Sequence, residues 1–244
     1  MPKTDAIEKT ETKIATVSFD LPDDYSIDIE SDDVKVPNVV LWQKMTDMLE
    51  FENAGVKAGE FVNPVSVKNY GTSFDALIVR YYTTARIWGI NNDGQNEVVK
   101  YSSDGMYWSD GTTIDPSEYK WTEDGSHALK SYHYLVIVKG EKLPAVVTFK
   151  GASAKFAKGL NANLLHCKPS WKQYFTFNSA QAETAGNKYY VIQVKPDSDI
   201  QLTQDEANFC LNLWKSVQGK RVKTVGGSEK LEEKASTTSD GLPS

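Results

Sequence analysis

Cysteine and histidine are scarce in this 244-residue chain: two cysteines, Cys167 and Cys210, and three histidines, His127, His133 and His166. Two cysteines cannot make a disulfide framework, and no CxxC or HxxxH spacing offers a metal its ligands. The adjacent pair His166 and Cys167 suits a helix end better than a zinc or catalytic site. Long apolar runs are missing too. No stretch approaches the roughly 20 apolar residues that cross a bilayer, and "MPKTDAIEKTETK" lacks the apolar core of a secretory signal. A soluble cytoplasmic protein without membrane contact is the expectation. No cluster of carboxylates, histidines or cysteines has catalytic spacing, so the chain does not read as an enzyme. Asp104, Asp110, Asp115, Glu123 and Asp124 lie close together, but "DGMYWSDGTTIDP" lacks the ligand ladder and closing glutamate of an EF-hand. They read as turn residues, and neither a metal nor a cofactor is expected.

What is present fits a globular domain: 40% of residues are hydrophobic and 11% aromatic. The length suffices for one sizeable core with appendages. Charge is unevenly spread. Residues 1–35 hold ten acids against four lysines, which accounts for the whole formal charge of -6. Residues 139–195 carry nine lysines against Glu141 and Glu183. A local cationic excess of this kind suits a polyanionic partner even in an acidic chain.

Residues 1–35 are poor in large apolar groups and read as a flexible acidic segment, with one short strand signal in "YSIDIE". A core domain follows over residues 36–221, and residues 222–244 read as a flexible tail. Within the core, "VVLWQKMTDMLEF" fits strand or helix. "FDALIVRYYTTARIWGI", residues 74–90, alternates with β-branched and aromatic residues throughout and reads as one long strand. Residues 91–130 are rich in Asp-Gly pairs and read as an elaborated loop with short hairpins. "SYHYLVIVK" and "PAVVTFK" form a hairpin, as do "WKQYFTFNS" and "KYYVIQVKP" around "AQAETAGN". Between the hairpins Ser153 can cap a helix whose Phe156, Leu160 and Leu164 share one face. "TQDEANFCLNLWKSVQG" is a second helix, opened by a Thr203–Glu206 capping box, buried through Cys210, Leu213, Trp214 and Val217, and ended by Gly219. The fold class is mainly β (α+β). The element order is that of an OB-fold-like five-stranded barrel with an inserted helix, an elaborated loop and a C-terminal helix.

The stretch "LPAVVTFKGASAKFAKGL" gathers lysines where a strand gives way to a helix, which invites comparison with a phosphate-binding loop. The spacing fails, because Gly151 is followed by neither a second glycine at the Walker position nor a Lys-Ser/Thr pair. Those lysines fit a phosphate-tracking surface instead. Strand alternation places Leu77, Val79, Tyr81, Thr83, Ala85 and Ile87 on one side of the long strand. Arg80, Tyr82, Thr84, Arg86 and Trp88 fall on the other. In the later hairpin Trp171, Phe175, Phe177, Tyr190, Ile192 and Val194 read as internal. Lys172, Tyr174, Thr176, Tyr189, Gln193 and Lys195 read as external. Rings interleaved with cations are what an unpaired strand needs, since bases stack on the rings while the charges track phosphates. The candidate binding set is therefore Arg80, Tyr82, Arg86, Trp88, Lys150, Lys155, Lys158, Lys172, Tyr174, Tyr189 and Lys195. Trp42, Trp108 and Trp121 have no such pattern and read as loop or core anchors.

The runs "PNVVLWQKMTDMLEFENAGVKAGEFVN", "YHYLVIVKGEKLPAVVTFKGASAKFAKGLNANL" and "NKYYVIQVKP" resemble phage-encoded single-stranded-DNA-binding proteins over roughly residues 36–217. The resemblance implies an OB-fold protein that coats replication or recombination intermediates in the host cytoplasm. Its partners would be single-stranded DNA and proteins of replication or recombination. "EKLEEKASTTSDGLPS" departs from the acidic, aromatic-ended tail of many such proteins, so the acidic segment 1–35 is the better candidate for recruiting partners. The alternative is a phage structural or assembly protein with no nucleic-acid role, its aromatic surfaces serving protein contacts.

Overall fold

The computed structural model describes residues 36–43, 55–90, 96–120, 127–218, 222 and 224–225. All of them belong to the unit that runs from Lys35 to Ser244. The acidic segment 1–35, Trp121 and Gly219 lie outside the described residues, as do residues 44–54 and 91–95.

Among the described residues the strands are β1 (Val36–Leu41), β2 (Phe61–Asn63), β3 (Lys68–Gly71), β4 (Ser73–Ile90) and β5 (Asn96–Ser102). After them come β6 (Ala128–Val138), β7 (Pro144–Phe149), β8 (Tyr174–Thr184), β9 (Asn187–Asp197) and β10 (Thr224–Val225). Two helices, α1 (Ala154–His166) and α2 (Gln204–Val217), complete the fold. The mainly β class is thus observed. The strands form one ten-stranded mixed sheet in the order β3-β2-β1-β7-β6-β4-β8-β9, with β10 on β1 and β5 on β4. Pairing is antiparallel except where β1 runs parallel to β7 and β10.

This corrects the expected five-stranded barrel. The five expected strands are β4, β6, β7, β8 and β9, but β1 lies beyond β7 and the sheet does not close. β1, β2 and β3 are only six, three and four residues long, and distant partners hold them in place. Residues 224 and 225, expected in a tail, pair instead with Val36 and Pro37. The expected loop over 91–130 yields β5, which pairs with β4 from Ala85 to Ile90. The β8–β9 hairpin is also longer than its polar sequence suggested. "AQAETAGN" stays in register down to Thr184 opposite Asn187, and Ala185 and Gly186 turn the chain with φ of 50° and 81°. Two successive positive φ values match the strand twist, which is why so short a turn suffices.

One core fills the inner side of the sheet. Phe74, Ile78, Tyr134, Val136, Phe149, Phe175 and Phe177 meet there, and α1 closes it with Ala157 and Leu160 while Phe156 and Leu164 pack at its margin. The apolar stripe read from the sequence therefore faces the core. Ser153 does not cap α1. Its hydroxyl accepts instead from the Ile192 N–H at 3.0 Å, serving the exposed edge of β9. At the other end Cys167 is the C-cap, its N–H directed to Asn163 and Leu164 carbonyls, so His166 and Cys167 do end the helix.

A second core lies on the opposite side. There α2 seats Cys210 and Leu213 on Leu77, Val79, Ile137, Trp171 and Tyr174. Thr203 and Glu206 form the expected capping box. Trp214 and Val217 are not fully buried, Trp214 remaining 36% exposed. Further along β4, Ala85, Ala128, Trp108 and Ile114 make a small core under the loop before β6, and the Trp108 Nε1–H donates to Glu118 at 3.1 Å. Trp42 and Trp108 are anchors, as read.

Candidate functional site

β4 changes its alternation once. Ile78 stands opposite Val136 and Arg80 opposite Leu135, so Val79 is an extra, bulged residue. A bulge puts two consecutive residues on one face. Leu77 and Val79 therefore lie under α2, while Tyr81, with Ala85 and Ile87, moves to the other side. The expected single apolar side of β4 is thus split, and Tyr81 is 40% exposed. Arg80, Tyr82, Thr84 and Arg86 do share one face, the one that also carries Leu135, His133 and Thr148.

That face gathers the cations Arg86 and Lys150. Its centre is His133, which sequence reasoning passed over. The signal was there in "SYHYLVIVK", where Ser131, His133 and Leu135 alternate with the core residues Tyr132, Tyr134 and Val136. The His133 ring bridges two threonines, with Nε2 2.9 Å from Thr84 Oγ1 and Nδ1 3.0 Å from Thr148 Oγ1. Tyr82 stacks on it, the centroids 4.8 Å apart and the planes 13° from parallel. Burial, then the charges of Arg86 and Lys150, push the His133 pKa down to about 4. It is a neutral spacer between two cations at pH 7. Lys150 is held below the ordinary lysine range by burial of its ammonium and by Arg86. The residue as a whole is exposed, so the Arg86 charge is the firmer of the two causes. Arg86 itself lies over the Tyr101 ring at 5.6 Å.

Arg80 and Tyr82 border this group. The Arg80 guanidinium donates to the Val217 carbonyl at the end of α2, where a cation also meets the negative end of the helix dipole. Trp88 follows Arg86 on the same side of β4 by alternation and is half-buried. The other expected residues do not join them. Tyr174 is a correction: it is 1% exposed beneath α2, its hydroxyl donating to Glu206, so no base can reach its ring. The alternation placed it correctly on the outer side of β8, but α2 lands there. Lys172 is exposed in the turn before β8, and Lys195 stands exposed opposite Thr176 beyond α2. Tyr189 lies on the β8–β9 arm with its hydroxyl 3.0 Å from Thr184 Oγ1. Lys155 and Lys158 are exposed on α1, which packs on the inner side of the sheet, and Lys155 covers the Phe156 ring at 5.0 Å.

Of the loop carboxylates Asp104, Asp110 and Asp115 are engaged in local turns, while Glu123 and Asp124 lie outside the described residues. Asp104 accepts from the Met106 and Tyr107 N–H groups and from Ser102, Asp110 accepts from Thr112, and Asp115 caps the turn Pro116–Tyr119. Such bonds hold the Asp104, Asp110 and Asp115 pKa values below the usual carboxylate range. Among the described residues no three of His, Cys, Asp and Glu are grouped to hold a metal, and no helix is long and apolar enough to cross a membrane.

A mainly β domain with few helices is the class these observations define, and its sequence places it among phage proteins. Residues 20–223 match the Pam3 phage gp34-like protein family, and the chain belongs to that family. No curated protein matches the chain, and no solved structure does.

Proposed function

We propose that this chain is a non-catalytic, sequence-tolerant binder of single-stranded DNA, acting in the host cytoplasm on intermediates of phage DNA replication or recombination. The observation that carries the proposal is the face around His133, where Arg86 and Lys150 lie near enough to depress neighbouring pKa values and rings lie beside them. Two cations held together against their repulsion favour a polyanion, and the Tyr82 ring offers a base a stacking surface.

The architecture supports the same reading. The neighbour order β7-β6-β4-β8-β9, with α1 between β7 and β8, follows the strand order of an OB fold, although the sheet stays open between β1 and β9. OB barrels receive oligonucleotides on the face of their second and third strands, here β6 and β7. His133 and Thr148 lie on those strands, with Thr84 on neighbouring β4 and Lys150 directly after β7. A second reading, a phage structural or assembly protein, draws on the exposed Phe209, Leu211 and Trp214 of α2.

Fluorescence titration of the full chain with oligodeoxythymidine and with duplex DNA, at two salt concentrations, tests the proposal. Preference for the single strand, weakening with salt, is expected. Equal or no binding of the two would overturn it and favour the assembly role.

A further inference from the structure

The sheet has a gap on one side of β4. β8 pairs with β4 only from Ser73 to Ala76, and β5 only from Ala85 onward. Between them opens a cavity of about 330 Å³, lined by Arg80 and Tyr82 from one face and by Tyr81 and Thr83 from the other, with Ser103, Asp104 and Val222 completing the lining. The cavity thus borders side chains of both faces of the sheet. Its volume is at the low end of the range for small-ligand sites, about 300 to 1,000 Å³, room for a nucleotide unit and too little for a duplex.

Beyond the gap, on the inner side of β4 and β6, lies a second set of rings. Tyr81, 40% exposed, stacks on Tyr132 with centroids 6.4 Å apart and planes 22° from parallel, and leans on Tyr134 at 5.3 Å. Tyr134 is fixed in turn, its hydroxyl 3.1 Å from the Ala157 carbonyl and 2.7 Å from Asn161 Oδ1. The Lys130 ammonium sits over two rings at once, 5.9 Å from Tyr132 and 5.7 Å from Tyr119. Asp104, the acid in the lining, has its carboxylate committed to the Met106 and Tyr107 N–H groups.

We propose that single-stranded DNA bound on the His133 face crosses the open edge of β4 through this cavity and continues onto a second stacking platform, the exposed ring of Tyr81 backed by the buried Tyr132. Lys130 supplies a positive charge for a phosphate there. This inference rests on the single-strand reading above. A ring already packed against two others loses little freedom when a base stacks on it. A cation beside it gives the site its preference for an anionic chain over a neutral ring. The platform is distinct from the outer face because strand alternation sets Tyr81 opposite Arg80 and Tyr82, and the bulge at Val79 makes Tyr81 the one that faces inward.

The test uses the full chain and oligodeoxythymidines of about 4 and about 16 nucleotides, the limits for one binding module of this class. Tyr81→Leu and Lys130→Gln should lower affinity for the longer oligomer at least about fivefold and shrink the ratio of long to short affinities. Arg86→Gln should lower both affinities and keep their ratio. Photo-crosslinking of a bromodeoxyuridine-substituted long oligomer should label the peptide containing Tyr81 or Lys130. If Tyr81→Leu melts early, Lys130→Gln and the crosslink decide. Folded variants that keep the wild-type ratio, with no crosslink on those peptides, would overturn the platform and leave the outer-face reading standing. A wild-type chain that binds no single strand overturns both.

Discussion

The side-chain amide of Gln43 hydrogen bonds the backbone of Tyr190 at both groups: its Nε2 donates to the Tyr190 carbonyl at 2.8 Å, and its Oε1 accepts from the Tyr190 N–H at 2.9 Å. Gln43 follows β1, and Tyr190 lies on β9, at the far end of the strand order. One side chain thereby does for the edge of β9 what a neighbouring strand would do. An unpaired strand edge is otherwise a template for association with other chains.

Gln43→Ala leaves both Tyr190 groups without that partner. It should destabilise the chain by about 1 to 3 kcal/mol and speed hydrogen exchange at Tyr190. Urea melts and amide exchange check this. An unchanged midpoint would mean that water replaces the glutamine at no cost.

His133 gives the fold a dependence on acid. Its pKa is about 4 when folded against 6.5 in the ordinary state, so the unfolded chain binds the extra proton between those values. Stability is then complete above pH 6.5 and falls as pH drops from 6.5 toward 4, by up to about 3 kcal/mol. Thermal melts at pH 7 and pH 4.5 should show the loss, and His133→Gln should flatten it across that window. A slope that survives the substitution would assign it to other groups.

Much of this fold was legible because its strongest signals are local. β4, β6 and β7 declare themselves by alternation, α1 by the spacing of Phe156, Leu160 and Leu164, and α2 by the Thr203–Glu206 box. What was missed depends on distant partners. The bulge at Val79 carries no glycine or proline and is fixed by how Leu135 and Val136 register across from β4. Ser153 looks like a helix cap, yet the Ile192 N–H takes its hydroxyl. Tyr174 alternates correctly, but nothing near it in sequence says that α2 will cover it. The candidate site was therefore half legible: Arg80, Tyr82, Arg86 and Lys150 come together, while Tyr174 and the α1 lysines do not.

Tyr174 should therefore matter to stability alone. Burial and the Glu206 carboxylate raise its pKa, and Glu206 stays low because bonds from Tyr174 and Thr203 outweigh the opposing effect of burial. Tyr174→Phe removes one of those bonds and should lower stability by about 1 to 2 kcal/mol with single-strand affinity unaltered. Beside it, burial pushes the Cys210 thiol up to about 12, so native protein should react slowly with Ellman's reagent and quickly once unfolded. A folded Tyr174→Phe variant that loses DNA affinity would return this ring to the binding face.

Charge and stacking on the His133 face can be separated by salt. Arg86→Gln and Lys150→Gln each remove one cation, so each should weaken single-strand binding and flatten the plot of log K against log salt by roughly 0.7 for each phosphate no longer neutralised. Tyr82→Leu keeps the charges and removes the ring that stacks on His133. It should cost about 1 to 3 kcal/mol of binding and leave the salt slope unchanged. Arg86 also covers Tyr101 and its charge lowers the Lys150 pKa, so Arg86→Gln should let that pKa rise while Lys150→Gln releases His133 in part. The double variant then loses more than the two single losses added, because relief of the remaining cation partly offsets each single loss and is absent when both are gone. Melting curves establish that all four proteins are folded. If the three single variants bind oligodeoxythymidine as wild type does, with one common salt slope, this face is not where the strand lies.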